Sequence, residues 1–151
     1  MKTAQLVDPV IRFNELIAAL KERDFRLTPQ RMELVRLIAE SEGHPNAAQL
    51  FTAVKQRFPT MSHATVYKTL ALLKDLGQVL EIDLHGDSHY DGSRPEPHPH
   101  LICVQCRRIM DGTADVDASV IQKLEDDSGF KILHSQVSFF GICPECRRIT
   151  G

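Results

Sequence analysis

Residues 98–111, HPHLICVQCRRIMD, place two histidines two apart, a Cys-x-x-Cys pair and an aspartate within fourteen positions. Thiolates are soft donors suited to a permanent tetrahedral zinc. Imidazole with carboxylate suits an iron, manganese or zinc that comes and goes. The stretch therefore reads as the crossing point of two metal sites, one structural and one responsive.

The thiolate site can be completed from the sequence. Cys103-x-x-Cys106 and Cys143-x-x-Cys146 are separated by 36 residues. Two knuckles at strand ends can close a tetrahedral four-thiolate zinc site around a folded strand–helix–strand insert. The competing readings are buried reduced thiols or a redox dithiol, although a thioredoxin-like motif uses one pair in a βαβ setting. A four-thiolate site leaves no open coordination position, so it predicts stability rather than chemistry. His98 and His100 share one side of an extended segment, and Asp111 follows Cys106 closely enough to return to it. Two histidines and a carboxylate with spare positions suit Fe(II) or Mn(II). Taken singly, each of these residues reads better as a solvated surface group; taken together, in the linker between two domains, they read as a site.

The rest of the chain bounds what such sites could serve. Its 151 residues are enough for one ordinary domain or two small ones. Hydrophobic residues at 42% and charged residues at 25% are ordinary for a globular protein. Asp8, Arg12 and Glu15 interrupt the first apolar stretch, so a secretion signal and a membrane span are not expected. Four cysteines in two metal-type pairs fit a reducing cytoplasm better than disulfides. A net charge of −2 does not advertise a nucleic-acid binder, but a DNA contact needs only a local basic face.

The elements that must position these residues follow from caps and periodicity. Asp8-Pro9 starts a helix with Val10, Phe13, Ile17 and Leu20 inward, ending near Arg23-Asp24. Thr28-Pro29 starts a second, with a stripe through Met32, Val35 and Ile38/Ala39, ending at Glu42-Gly43. Asn46, with Gln49 as capping-box partner, opens a third that buries Leu50, Val54 and Phe58. Ser62 caps a fourth carrying Val66, Leu70 and Leu73 inward until Gly77. Gln78–Asp83 and Ser88–Asp91 around His85-Gly86-Asp87 read as a β-hairpin. Residues 92–99, GSRPEPHP, form a stiff Pro-rich link. Beyond it, His100–Val104 and Arg108–Met110 read as strands. Val116–Leu124 reads as a helix capped by Asp115, and Lys131–Phe140 as a long strand.

The expected fold class is therefore α+β. A winged helix-turn-helix domain spans 1–91, a hinge 92–99, and a small α+β dimerisation and metal-binding domain 100–151. In a winged helix the fourth helix would enter the major groove, with His63, Ala64, Thr65, Tyr67 and Lys68 near bases and phosphates. Between Lys55 and Leu80, four basic residues face one acidic residue, a local charge of +3. Periodicity alone leaves open both DNA binding and a purely structural four-helix domain.

Five segments in order carry a resemblance over essentially the whole chain: RLTPQR at 26–31, HPNAAQL at 44–50, FPTMSHATVYKTL at 58–70, HPHLICVQC at 98–106 and GICPEC at 141–146. The sequence resembles the ferric uptake regulator family of metal-dependent transcription regulators, and within it the peroxide-sensing repressors. The resemblance implies structural Zn(II) on Cys103, Cys106, Cys143 and Cys146. It implies a regulatory Fe(II) or Mn(II) on His44, Asp91, His98, His100 and Asp111. In iron-uptake members both carboxylate positions are usually glutamate, and both are aspartate here. Such members also carry a further metal site at an HHDH-like segment, where this chain has Pro97-His98-Pro99-His100. His134 lies one residue from a family histidine position occupied here by Ser135, and is not assigned. The resemblance further implies iron-catalysed oxidation of His44 and His98, and DNA contacts through Arg26, Tyr67 and Lys68. A homodimer would bind a palindromic double-stranded operator in the cytoplasm.

The expected function is a metal-dependent repressor that senses hydrogen peroxide. The alternative is an iron-, manganese- or zinc-uptake regulator of the same family. An iron oxygenase or zinc hydrolase would need a general acid/base set that the sequence does not show, so the chain is not read as an enzyme. A rubredoxin-like electron carrier would hold iron, not zinc, on the four thiolates.

Overall fold

Side-chain caps set the frame of the first helices. The structure is a computed structural model that describes residues 7–93, 96–113 and 117–151. Asp8 accepts from the Val10 N–H at 2.8 Å and starts α1 (Pro9–Glu22). Thr28 caps α2 (Pro29–Glu40) through the Arg31 N–H at 3.3 Å. Asn46 and Gln49 exchange bonds of 2.8 and 2.9 Å in a full capping box at α3 (Ala47–Arg57). Ser62 caps α4 (His63–Asp75), and Gly77, at φ +68°, turns the chain out of it.

The chain falls into two compact units that divide after residue 95. In the first, α1–α4 bury one contiguous core that includes Leu16, Leu20, Leu34, Val35, Leu50, Val54, Val66, Leu70 and Leu73. The wing is β1 (Leu80–Leu84) paired antiparallel with β2 (Asp87–Asp91). Its two-residue turn, His85-Gly86, has positive φ at both positions (51° and 88°), as a primed hairpin turn requires. Helices followed by this hairpin make the unit a winged helix-turn-helix.

The helix phases differ from the sequence reading at two positions. Val10 is 67% exposed and Met32 39% exposed, while Arg12, Leu16, Glu33 and Leu34 take inward places. In α1 the buried residues are Arg12, Leu16, Ile17 and Leu20, so Ile17 and Leu20 face inward as expected while a charged residue, Arg12, takes an inward place outside the apolar stripe. α2 also ends at Glu40, with Ser41 as its cap, earlier than Glu42-Gly43.

The second unit is built on a three-stranded sheet of order β4-β3-β5. β3 (His100–Cys103) lies antiparallel to β4 (Ile109–Asp111) and parallel to β5 (Ser138–Gly141). The expected long strand Lys131–Phe140 is corrected to these four residues. β3 meets β5 from His100, opposite Ser138, onward, and apart from the His100 N–H to Val137 carbonyl bond of 3.0 Å the described residues 131–137 lie outside that register. α5 runs Ala118–Ser128 with Asp117 as its cap, not Asp115, and ends later than Leu124. Asp115 and Val116 lie outside the described residues, as do Arg94 and Pro95 of the link. A last helix, α6 (Pro144–Thr150), has no counterpart in the sequence reading. Pro144 fixes its first turn, and Cys143 accepts the Cys146 N–H.

Candidate metal centres and nucleic-acid interface

Cys103 ends β3, Cys106 sits in the turn that follows, Cys143 caps α6 and Cys146 lies in its first turn. The Arg107 N–H closes the first knuckle on the Cys103 carbonyl at 2.9 Å, with Arg107 itself left-handed at φ 64°. Backbone N–H groups point at the sulfurs: Cys143 N–H to Cys103 Sγ at 3.4 Å, and Cys146 N–H to Cys143 Sγ at 3.5 Å. All four Sγ atoms lie within 4.8 Å of one another. Cys106 and Cys143 Sγ are 3.7 Å apart. A tetrahedral zinc with Zn–S bonds of about 2.3 Å separates its sulfurs by about 3.8 Å. No disulfide is formed.

The electrostatics of the cluster favour a dication. The backbone N–H of Cys106, then that of Cys143, holds the Cys103 thiol down to about 6. Hydrogen bonding to the Cys143 side chain, then burial, pushes Cys146 up to about 12. Cys103 and Cys146 are thus pushed in opposite directions, and a zinc ion would take all four sulfurs as thiolates. Arg108 and Glu145 join the two knuckles by an exposed ion pair of 2.8 Å, which adds little stability.

The nitrogen and oxygen donors occur in two sets, one in each unit. In the winged-helix unit, His44 Nε2 lies 3.3 Å from Asp91 Oδ2, and both side chains are buried. Asp91 also accepts the Ser93 N–H at 3.2 Å and the Ser93 hydroxyl at 3.0 Å. In the second unit, His100 and Asp111 are cross-strand neighbours of β3 and β4. Asp111 Oδ1 stands 3.1 Å from His98 Nε2 and 3.6 Å from His100 Nε2. The two imidazole centroids are 4.6 Å apart. His98 Nδ1 donates to the Glu96 carbonyl at 2.8 Å, which fixes the ring with Nε2 toward Asp111. Imidazole nitrogens and carboxylate oxygens are the donor types that fit Fe(II), Mn(II) or zinc.

Three residues around the His44–Asp91 pair escape the sequence reading. Arg12 has no exposed surface. It donates Nε to the Gly92 carbonyl at 2.6 Å and Nη1 to Gln78 Oε1 at 3.1 Å and Glu15 at 2.9 Å, and bonds the Gln78 carbonyl through Nη2. Gly92 packs so closely on α2 that a Cβ would stand 2.2 Å from Ile38 Cγ2. The chain immediately after Asp91 is thus held by Arg12 and by contact with α2. The third residue, His89, bonds the His44 carbonyl at 2.7 Å. For Arg12 a signal exists in its i, i+4, i+8 alignment with Leu16 and Leu20; for His89 there is none.

On α4, Tyr67 and Lys68 are exposed, as is Arg26 before α2. Of the other outward positions expected on α4, His63 stacks on the Phe51 ring at 3.6 Å, and Thr65 is half-buried with its hydroxyl 2.9 Å from the Ser62 cap. The positive charge is also weaker than its count: Arg57 pairs with Glu33 at 3.3 Å and Lys74 pairs with Glu81. Among the described residues no helix is long and apolar enough to cross a membrane.

Comparison with known proteins agrees with this architecture. The chain is 32% identical over 133 residues to the peroxide-responsive repressor PerR of Staphylococcus epidermidis, covering 88% of this chain and 89% of that one. It is 35% identical over 137 residues to the ferric uptake regulation protein of Synechococcus elongatus, covering 88% and 93%. A solved zinc uptake regulator complexed with zinc and DNA shares the fold at a TM-score of 0.72 and 23% identity, over 95% of this chain and 98% of that one. The model of the ferric uptake regulator family matches residues 22–140. This chain belongs to the ferric uptake regulator family.

Proposed function

We propose that the protein is a dimeric, metal-dependent repressor of the cytoplasm that senses hydrogen peroxide through iron, and that it is not an enzyme. The domain assignment is 1–91 for DNA binding, 92–99 for the hinge and 100–151 for dimerisation and metal binding. Structural zinc is held by Cys103, Cys106, Cys143 and Cys146. One regulatory ion takes His44 and Asp91 from the first domain, His98 from the hinge, and His100 and Asp111 from the second domain. An ion with that ligand set restricts the arrangement of the two domains, and operator affinity follows because DNA favours one arrangement. In a dimer the same restriction sets the spacing of two α4 helices on a palindromic double-stranded operator.

The observation that carries the peroxide reading is aspartate at both carboxylate positions, Asp91 and Asp111, as in the peroxide-sensing branch that the sequence resembles. A bound Fe(II) would supply the reduction of hydrogen peroxide, for a net change of imidazole plus peroxide to oxo-imidazole plus water. His44 and His98 are the imidazoles that take the oxygen, and each then ceases to be a good ligand. Manganese(II) occupies the same residues without that reaction. For DNA, Arg26 and Lys68 contact phosphates and Tyr67 reaches a base methyl. Exposed apolar side chains in the second unit support a homodimer: Phe130 and Leu133 are 75% and 82% exposed, and α5 buries no residue.

A second reading, regulation of iron, manganese or zinc uptake without peroxide sensing, is favoured by the 35% identity to the Synechococcus protein. Binding to a duplex selected from random DNA by the manganese-loaded protein distinguishes the two. Peroxide should release the iron-loaded protein from that duplex and leave the manganese-loaded protein bound. If both forms ignore peroxide while still requiring metal, the uptake reading replaces the first.

A further inference from the structure

His44 has φ +51°, in the left-handed region that a residue with a side chain seldom adopts, and a proline follows it. Such a conformation persists where its surroundings over-determine it. Here β2 does so. The His89 ring reaches the His44 carbonyl through Nδ1 at 2.7 Å, and the Tyr90 N–H bonds the Pro45 carbonyl at 2.9 Å. Asn46 and His89 form a β-bridge. The far side of the His89 ring is fixed as well, with Nε2 2.9 Å from Asp87 Oδ2, and Asp87 Oδ1 accepts from the Asn46 amide at 3.4 Å. A carbonyl oxygen can only accept, so Nδ1 of His89 carries the proton in the bond to His44.

We propose that His89 is a positioning residue for the regulatory metal: its Nδ1–H holds the His44 backbone in the left-handed turn that aims the His44 imidazole at Asp91. The role rests on the proposed function, because it presupposes that His44 is a ligand. Its consequence is that part of the metal affinity is set by the wing, through a residue that never touches the ion. A sequence search for ligands would pass over His89, because it is not a donor to the metal and lies 45 residues from its partner.

The test compares two amides in the full-length, zinc-containing protein. Asparagine places its N–H near the position of Nδ1; glutamine places it near Nε2, out of reach of the His44 carbonyl. Mn(II) is titrated and free Mn(II) is read by electron paramagnetic resonance, with H44A as the reference for a lost ligand. Zinc content and melting temperature are recorded for every variant. The expected result is an Mn(II) Kd raised about tenfold in H89Q and H89A but by no more than about threefold in H89N, a size typical of partners behind a ligand. The melting temperatures of H89N and H89Q should agree. Weakened binding in H44A with unaltered binding in H89Q would overturn the positioning role alone. Equal weakening in H89N and H89Q would overturn the Nδ1–H as its agent. Unaltered binding in H44A would remove His44 from the site, and the proposed ligand set would fall together with this role.

Discussion

The thiolate cluster and the nitrogen/oxygen donors differ in how the chain supplies them. Cys103, Cys106, Cys143 and Cys146 belong to one unit, on a short sheet and one helix, with the Cys143 and Cys146 N–H groups already turned toward sulfur. The other donors are divided, His44 and Asp91 in one unit and His98, His100 and Asp111 in the other. A site complete within one unit can stabilise that unit but cannot report on anything outside it. Under the proposed function, a ligand set divided between two units would make metal binding and domain arrangement one equilibrium, which is what a sensor needs.

The largest effect is expected at the thiolate cluster. C103S should lose zinc and the cooperative melting of the second unit, because structural zinc contributes on the order of 10 kcal/mol in small zinc domains. Zinc analysis and calorimetry check this, and a zinc-free C103S that melts like the wild type would contradict a structural role. At the divided set, D91A should weaken Mn(II) binding by about a hundredfold while zinc content stays at the wild-type level. A parallel loss of zinc in D91A would mean that the two sets are not separate.

R12M acts within the first unit alone. It leaves the Gly92 and Gln78 carbonyls without their buried donor, so denaturant unfolding should show a loss of roughly 3 kcal/mol, again with zinc retained. An R12M protein as stable as the wild type would show that those carbonyls find other partners. The smallest effect is expected at the surface. K68A should lower operator affinity modestly and reduce the slope of its salt dependence by about one, as loss of one phosphate contact does. An unchanged slope would move Lys68 off the DNA backbone.

Legibility in the sequence followed the range of the interactions. Asp8, Thr28, Asn46 and Ser62 cap the helices they announced, because a cap and its N–H lie within three residues. The four cysteines were readable because few other residue patterns have that chemistry at that spacing. Phase was harder: Val10 and Met32 are apolar yet exposed, and the inward position in α1 belongs to a buried arginine whose partner carbonyl is 80 residues away. The strand over 131–140 was overextended because its length is set by β3, a non-local partner. His44 and Asp91 came forward through family resemblance, since neither their spacing nor their neighbours announce a pair. The left-handed turn at His44 and its tie to His89 depend on contacts that no local pattern encodes.

The most direct test of the central claim, that one iron shared by both units makes the protein a peroxide sensor, is peptide mass spectrometry of Fe(II)- and Mn(II)-loaded protein after low hydrogen peroxide. One added oxygen is expected on His44 and on His98, in the iron-loaded protein alone. Unmodified histidines in iron-loaded protein, or equal oxidation with manganese, would contradict it.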